Sequence, residues 1–251
     1  MKPRDWDARV YDRVSGPQVA MAGPVLDRLE LRGDETVLDA GCGSGRVTKL
    51  LLERLPRGRV IAVDAAPSMV EEAGAALGDR AEVIRSDLAE LDVEERVDAV
   101  FSNAVFHWVP DHDALFARLH AALRPGGRLA AQCGGAGNVD RFLALAREVG
   151  DAEPFAEHLA GWVGPWNFAG AEETERRLLE AGFRDVRVWL EPHPVVPEYT
   201  LEYLRTVCLG HHVERLPEGL RDDYVAAVAD RCGQPVELDY VRLNMDAVSS
   251  A

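Results

Sequence analysis

The stretch VLDAGCGSGRVTK, residues 37–49, sets three glycines, Gly41, Gly43 and Gly45, between an apolar run and a basic tail. Glycine is costly in ordered backbone unless the chain needs a conformation that other residues resist. A short apolar run, a glycine-rich turn and a helix-forming segment, in that order, predict a strand–turn–helix corner. The helix N-terminus there carries partial positive charge, and its free N–H groups face a ligand. Dinucleotide sites use GxGxxG, whose third glycine lets helix and strand pack closely. Here Arg46 stands at that third position and the glycines fall as GxGxG, which departs from the dinucleotide pattern.

Outward from this turn the chain alternates strand-like and helix-like segments. TVLDA (36–40), RVIAVD (59–64), AEVIRSD (81–87), VDAVFSN (97–103) and GRLAAQC (127–133) read as strands. Segments 46–55, 67–77 and 111–123 read as the helices between them. Pro67 suits a first helical turn, whereas Ser68 with Glu71 fits a capping box one residue later, and both registers stay open. Asp111 is the expected N-cap of the third helix, and RPGG (124–127) ends it. Short apolar strands joined by helices predict a parallel sheet covered on both faces, hence a doubly wound, Rossmann-like α/β domain. Beyond it, segments 139–150, 171–183, 199–209 and 218–231 read as helices, and RDVRVWLEP (184–192) and VELDYVRLNMDAV (236–248) as strands. We expect one domain over residues 1–251, with a helical segment at about 1–30 and helical cap elements at about 137–170 and 193–234.

The formal charge of −15 repels nucleic acid and anionic membrane surfaces, and no Lys/Arg run offsets it. No apolar run approaches the roughly 18 residues of a membrane span. The opening MKPRDWDARVYDRV lacks the apolar core of a secretory leader. The four cysteines, Cys42, Cys133, Cys208 and Cys232, show no CxxC pairing, which points to a reducing cytoplasm and to no zinc site.

VLDAGCGSGRVTKLL resembles the first motif of the class I S-adenosylmethionine-dependent methyltransferases. The resemblance implies a mainly parallel seven-stranded sheet, S-adenosyl-L-methionine as methyl donor, and a glycine turn lying against the donor's methionine part. Asp39 takes the place of the family's acidic residue at the end of the first strand, and Cys42 joins the turn. Asp64 follows Gly41 by roughly 20 residues, where a carboxylate accepts from both ribose hydroxyls; a nicotinamide enzyme has the same feature. Ala65 follows it, and Met69 resembles a residue packed on the adenine, although a core methionine reads alike. Asp87 in SDLAEL resembles the acidic partner of the adenine amino group, with Leu88 supplying a backbone N–H. Asn103 would line the methionine end of the donor.

FSNAVFHWVPDH (101–112), YTLEYLRTVCL (199–209) and WDARVYDRVSGPQ (6–18) are together similar to small-molecule carboxylate methyltransferases of the trans-aconitate and juvenile-hormone-acid type. That likeness implies an acceptor carboxylate held by Gln18 and Trp108, and Tyr11 on the donor's carboxylate. An amide and an indole are neutral donors that orient a carboxylate without neutralising it. A carboxylate is already ionised at neutral pH and needs no general base. A hydroxyl or amine acceptor would need one, and His107 is the candidate. His211 and His212 read as polar cap residues, since no ligand spacing surrounds them. GWVGPWNFAG (161–170) suits a lid over an acceptor with an apolar body, or a seam between cap and core. Two rival classes remain, a non-catalytic donor-binding sensor and a nicotinamide oxidoreductase, the latter opposed by Arg46.

Overall fold

The structure is a computed structural model that describes residues 8–250, with side chains from residue 10 onward except at position 11. The apolar runs of the first half form β1 (Thr36–Ala40), β2 (Arg59–Asp64), β3 (Ala81–Arg85), β4 (Val97–Asn103) and β5 (Leu123–Gly134). With β6 (Phe183–Pro192) and β7 (Val241–Ser249) they make one seven-stranded sheet in the order β3-β2-β1-β4-β5-β7-β6. Neighbours from β3 to β5 pair in parallel, and β7 runs antiparallel to both β5 and β6. All five residues of β1 are buried, as a central strand covered on both faces requires.

The helices of the first half are α1 (Ala8–Val14), α2 (Gly16–Arg28), α3 (Arg46–Glu53), α4 (Pro67–Leu77) and α5 (His112–Ala122). The second half adds α6 (Asp140–Gly150), α7 (Ala156–Leu159), α8 (Ala171–Glu180), α9 (Thr200–Tyr203), α10 (Gly210–Arg215) and α11 (Glu218–Cys232). Val25 and Leu26 of α2, Leu51 of α3 and Ala73 of α4 bury one face of the sheet with Val37, Val60 and Phe101. Leu115 and Phe116 of α5 and Leu178 of α8 bury the other with Leu38, Val100 and Leu129. Helices α6, α7 and α9–α11 form a separate apolar cluster, with Phe142, Phe155, Tyr203, Leu204 and Tyr224 at its centre. No helix among the described residues is long and apolar enough to cross a membrane.

Helix α4 adopts the Pro67 register: Pro67 is the first helical residue and Ala66 the N-cap. Asp111 caps α5 by accepting from the Ala114 N–H at 2.9 Å. Three segments depart from expectation; the first is β5, which starts at Leu123 rather than at residue 127, with RPGG as an irregularity inside the strand. The helix expected over 199–209 is the single turn α9 followed by a π-helical turn, Leu204–Cys208. The closing strand starts at Val241 rather than at residue 236. Before it, Leu238 makes one bridge to Val195, and the Asp239 carboxylate accepts from the Arg141 and Phe142 N–H groups at the start of α6. Satisfying those helix-start donors pulls residues 236–240 out of the sheet.

Candidate active site

β1 and β4 are neighbours although they are not consecutive, so the crossovers leave in opposite directions from their carboxyl ends. Sheets of this kind bind ligands at such a switch point. A cavity of about 270 Å³ opens there, between the strand ends and the cap helices. The turn after β1 needs its glycines for two different reasons. Gly41 has φ +90°, and a Cβ on it would stand 2.2 Å from the Val105 side chain that follows β4. Gly45 has φ +85° at the N-cap of α3, and a Cβ there would press on Leu77 of α4 at 3.1 Å. Its role is to seat two helices, and it does not line the cavity. Gly43 does, with nothing within 4 Å of its Cβ position.

Asp39, Cys42, Asp64, Ala65, Met69, Asp87, Leu88 and Asn103 line the same end of the cavity as Gly41 and Gly43. Asp64 accepts from the Gly43 N–H at 3.0 Å through Oδ2 and from the Ala66 N–H at 2.9 Å through Oδ1. Each carboxylate oxygen keeps a second lone pair for a ligand hydroxyl. Asp87 accepts from the Ala89 N–H at 3.0 Å. Asp39 is 1% exposed and accepts from the Thr48 hydroxyl at 2.7 Å. Burial and then the Asp64 charge raise its pKa to about 7, against the Thr48 hydrogen bond, which lowers it. Burial also raises Asp64, although its backbone hydrogen bonds oppose the shift. The buried Asp39 and the half-buried Asp64 face one cavity, and such a pair of carboxylates suits a cation such as a sulfonium with an α-ammonium group. Tyr11 falls within α1, but its side chain lies outside the described residues. Nearby, Ser44 donates to the Asp12 carboxylate, and Arg46 donates to the Asp12 carbonyl and to Ser15 Oγ at 3.0 Å, tying the first helices to the turn.

Gln18, His107 and Trp108 meet at the other end of the cavity. Gln18 is 7% exposed, and its amide donates to the Tyr203 hydroxyl at 2.7 Å. The amide nitrogen carries a second N–H. Tyr203 in turn shares a 2.8 Å hydrogen bond with Tyr240, so a buried hydroxyl chain sets the amide. Asn103 donates to the Gln18 carbonyl at 2.9 Å and links β4 to α2. The Trp108 ring stands 6.2 Å from Trp166 and 5.3 Å from His211.

His107 differs from expectation. Its Nδ1 accepts from the Gly134 N–H at 3.2 Å, which places the ring proton on Nε2. Burial, then Arg242 and His112, hold its pKa well below the usual range. The ring is therefore a neutral donor, the opposite of what a general base requires. His212 is not a polar cap residue either: it is 6% exposed, with its ring 4.6 Å from Trp162 and 5.7 Å from Tyr224. Burial, with His211 and Arg215, lowers its pKa to about 3. The glycine–tryptophan loop divides its duties. Trp166 lines the cavity and stacks on Phe168 at 6.0 Å, while Trp162 packs on His212 in the cap. Asn167 ties this loop to the one after β4 through its N–H to the His107 carbonyl at 2.9 Å and its side chain to the Pro110 carbonyl at 3.1 Å.

The sequence did not single out the lining residues Tyr240, Arg242 and Val207, and it read His211, which also lines the cavity, only as a polar cap residue. The π-turn had no visible signal, although such turns often lie at functional sites. Among the described residues, no three His, Cys, Asp or Glu side chains gather in a metal-binding group.

A methyltransferase-domain family profile matches residues 37–127, from the glycine turn to the start of β5. A trans-aconitate 2-methyltransferase of Acidovorax sp. (strain JS42) is 31% identical over 92% of this chain and 90% of its own length. One from Variovorax paradoxus (strain S110) is 32% identical over 95% and 94%. Among solved structures, phosphoethanolamine N-methyltransferase 2 of Haemonchus contortus in complex with S-adenosyl-L-methionine aligns with a TM-score of 0.65 at 19% identity, over 97% of this chain and 57% of that one. YcgJ of Bacillus subtilis aligns with a TM-score of 0.63 at 15% identity, over 92% and 99%. These two likenesses speak for the fold. The chain is an S-adenosylmethionine-dependent methyltransferase and belongs to the class I family that includes the trans-aconitate 2-methyltransferases.

Proposed function

We propose that the enzyme methylates a carboxylate oxygen of a small organic acid whose flat or apolar body lies against Trp108, Trp166 and Phe168. The observation that carries this reading is that Gln18, His107 and Trp108, all uncharged and able to donate, line one cavity, with the His107 Nδ1 already taken by the Gly134 N–H. Relatives named trans-aconitate 2-methyltransferase, including one from Shigella flexneri serotype 5b at 38% identity over 74% of this chain, support it. When bound, S-adenosylmethionine supplies a sulfonium methyl, which a carboxylate oxygen takes with its own lone pair, so no proton has to be removed. The chain's own work is alignment and exclusion of water. Gln18 and Trp108 hold and aim the carboxylate, while Tyr203 fixes the Gln18 amide. Gly41 and Gly43 with Asp39 seat the donor's amino-acid end, Asp64 its ribose, and Met69, Asp87 and Leu88 its adenine.

A second reading rests on His211, which lines the cavity beside Trp108 with Glu214 3.8 Å from its Nδ1. A hydroxyl or amine acceptor would use that imidazole as its base. We place the protein in the cytoplasm, where four free thiols persist, and expect no nucleic-acid or membrane partner for a chain of net charge −15.

Gln18→Ala and Trp108→Ala test the main reading. Each is expected to lose about 10²-fold or more in turnover of an acid, the scale of losing an aligning donor, while S-adenosylhomocysteine binds as before. Full turnover in either variant removes that residue from the acceptor site.

A further inference from the structure

Arg46, which sets the glycine turn apart from the dinucleotide pattern, is the first residue of α3, directly after the Gly45 cap. Its backbone position is therefore fixed by that turn, and its side chain lines the cavity. The guanidinium reaches the corner between α1 and α2, where Nη1 donates to the Asp12 carbonyl and to Ser15 Oγ at 3.0 Å. Ser44 of the same turn donates to the Asp12 carboxylate. Ser15 is 2% exposed and stands at the N-cap of α2, yet its side chain caps no N–H of that helix. A serine at an N-cap ordinarily accepts from the first turn of its own helix. Here that oxygen accepts from Arg46 instead, and a local rule set aside in this way points to a functional constraint.

Helix α2 reads GPQVAMAGPVLDR, with one glycine–proline pair at 16–17 and another at 23–24. Pro24 has no N–H for the Ala20 carbonyl, so the hydrogen-bond ladder of the helix lacks a bond there. Gly23 beside it has nothing within 4 Å of its Cβ position. The α2 residues that join the apolar cluster on the sheet start at Ala22. Gln18 lies before that point, within a turn of Ser15. Polar contacts tie this first half of α2 to the body: Arg46 on Ser15, Asn103 on the Gln18 carbonyl at 2.9 Å, and Gln18 on Tyr203 at 2.7 Å.

We propose that Arg46 is a positioning residue that couples the donor and acceptor sites. A donor seated on the glycine turn fixes Arg46, Arg46 fixes the Ser15 corner, and the corner sets Gln18 for the acceptor. This rests on the carboxylate reading above, in which Gln18 aims the acid. The bound donor then does part of the ordering that the acid would otherwise have to supply. The acid therefore binds more tightly to the donor-loaded enzyme, and by linkage it tightens donor binding by the same factor. The coupling needs no contact between Arg46 and the reacting atoms and leaves the methyl-transfer step unchanged.

Isothermal titration with trans-aconitic, itaconic, crotonic and cinnamic acids, each with and without saturating S-adenosylhomocysteine, tests this. S-adenosylhomocysteine has no sulfonium charge, so tighter binding beside it is not attraction between that charge and the acid. In the wild type an acid that binds is expected to do so about 10-fold more tightly beside S-adenosylhomocysteine, a usual size for coupled sites. In Arg46→Met, and separately in Ser15→Ala, the ratio is expected to fall to about twofold or less. Arg46→Lys keeps the charge without the planar fork and is expected to fall between. A uniform loss of affinity from a merely structural role leaves the ratio where it was. Ser15→Ala removes only the accepting oxygen, and it carries the test if Arg46→Met does not fold. A wild-type ratio near one overturns the proposal and leaves the carboxylate reading intact, as does the wild-type ratio kept in either variant. Binding of none of the acids under either condition overturns the carboxylate reading itself, and this proposal with it.

Discussion

Asp39 lies beneath the glycine turn with its carboxylate out of water, and burial with the Asp64 charge brings its pKa to about 7. A carboxyl whose folded pKa stands above its unfolded value, about 4, costs the fold stability once it ionises. That cost is absent below about pH 4, grows as pH rises, and is complete above the folded pKa. Asp64 is shifted in the same direction. A bound sulfonium and ammonium relieve the cost, so the cofactor's stabilisation should grow with pH. Thermal melts with and without S-adenosylmethionine are expected to show a larger rise at pH 8 than at pH 6, and Asp39→Asn should flatten the difference. An equal rise at both values in the wild type would remove Asp39 from the donor's field. At this scale the donor side was legible because its signals are local: a glycine turn and acids at strand ends. Arg242, Tyr203 and Tyr240 were not, because each reaches the cavity through a pairing or packing partner far along the chain. His107 was legible as a position but not as a tautomer, which the Gly134 N–H decides.

The α2 helix carries Gln18, and its C-terminal end is stapled to the sheet by one side chain. Arg28 reaches Asp246 at 2.7 Å, Asn244 Oδ1 at 3.2 Å and the Ala131 carbonyl at 3.0 Å. The partners are only partly exposed, so these bonds are expected to contribute about 1–2 kcal/mol together after screening. Arg28→Met should therefore lower the melting temperature by a few degrees, roughly 2–4 °C per kcal/mol for a chain of this length. It should also raise KM for the acceptor more than for the cofactor, since Gln18 moves with its helix. An unchanged melting temperature would show that apolar packing by Val25, Leu26 and Leu29 holds α2 unaided. Elements that fold on local periodicity, such as β1, β2, β4 and α4, have the bounds expected of them. Residues 199–209 and 236–240 do not, because a π-turn and a helix cap are settled by tertiary partners such as Arg141 and Phe142.

Across the whole molecule, Asp39, Asp64 and Asp87 line the cavity on the β1–β3 side of the switch point and Arg242 lines it on the β7 side. The strand order places both ends at one switch point, and the sheet class followed from the alternation of runs along the first half of the chain. How the cap closes the cavity did not follow, since the packing of α6 against α11 depends on contacts such as Tyr224 with the Ala146 carbonyl at 2.9 Å. A carboxylate acceptor aligned by neutral donors gives the chemical step no ionisation near neutrality. At saturating cofactor, kcat for an acid is expected to stay level between about pH 6 and 9, whereas a rising limb near the pKa of an imidazole would favour His211 as a base.

The nature of the bond made is the most direct test of the whole account. S-adenosylmethionine labelled in its methyl group is to be turned over with the purified enzyme and a mixed panel of acids, amines and alcohols. Label recovered in an acid and released as methanol by mild alkali is the predicted result, because a methyl ester hydrolyses where an ether or N-methyl group does not. Label held in an alkali-stable product would contradict carboxylate methylation and transfer the assignment to His211 chemistry.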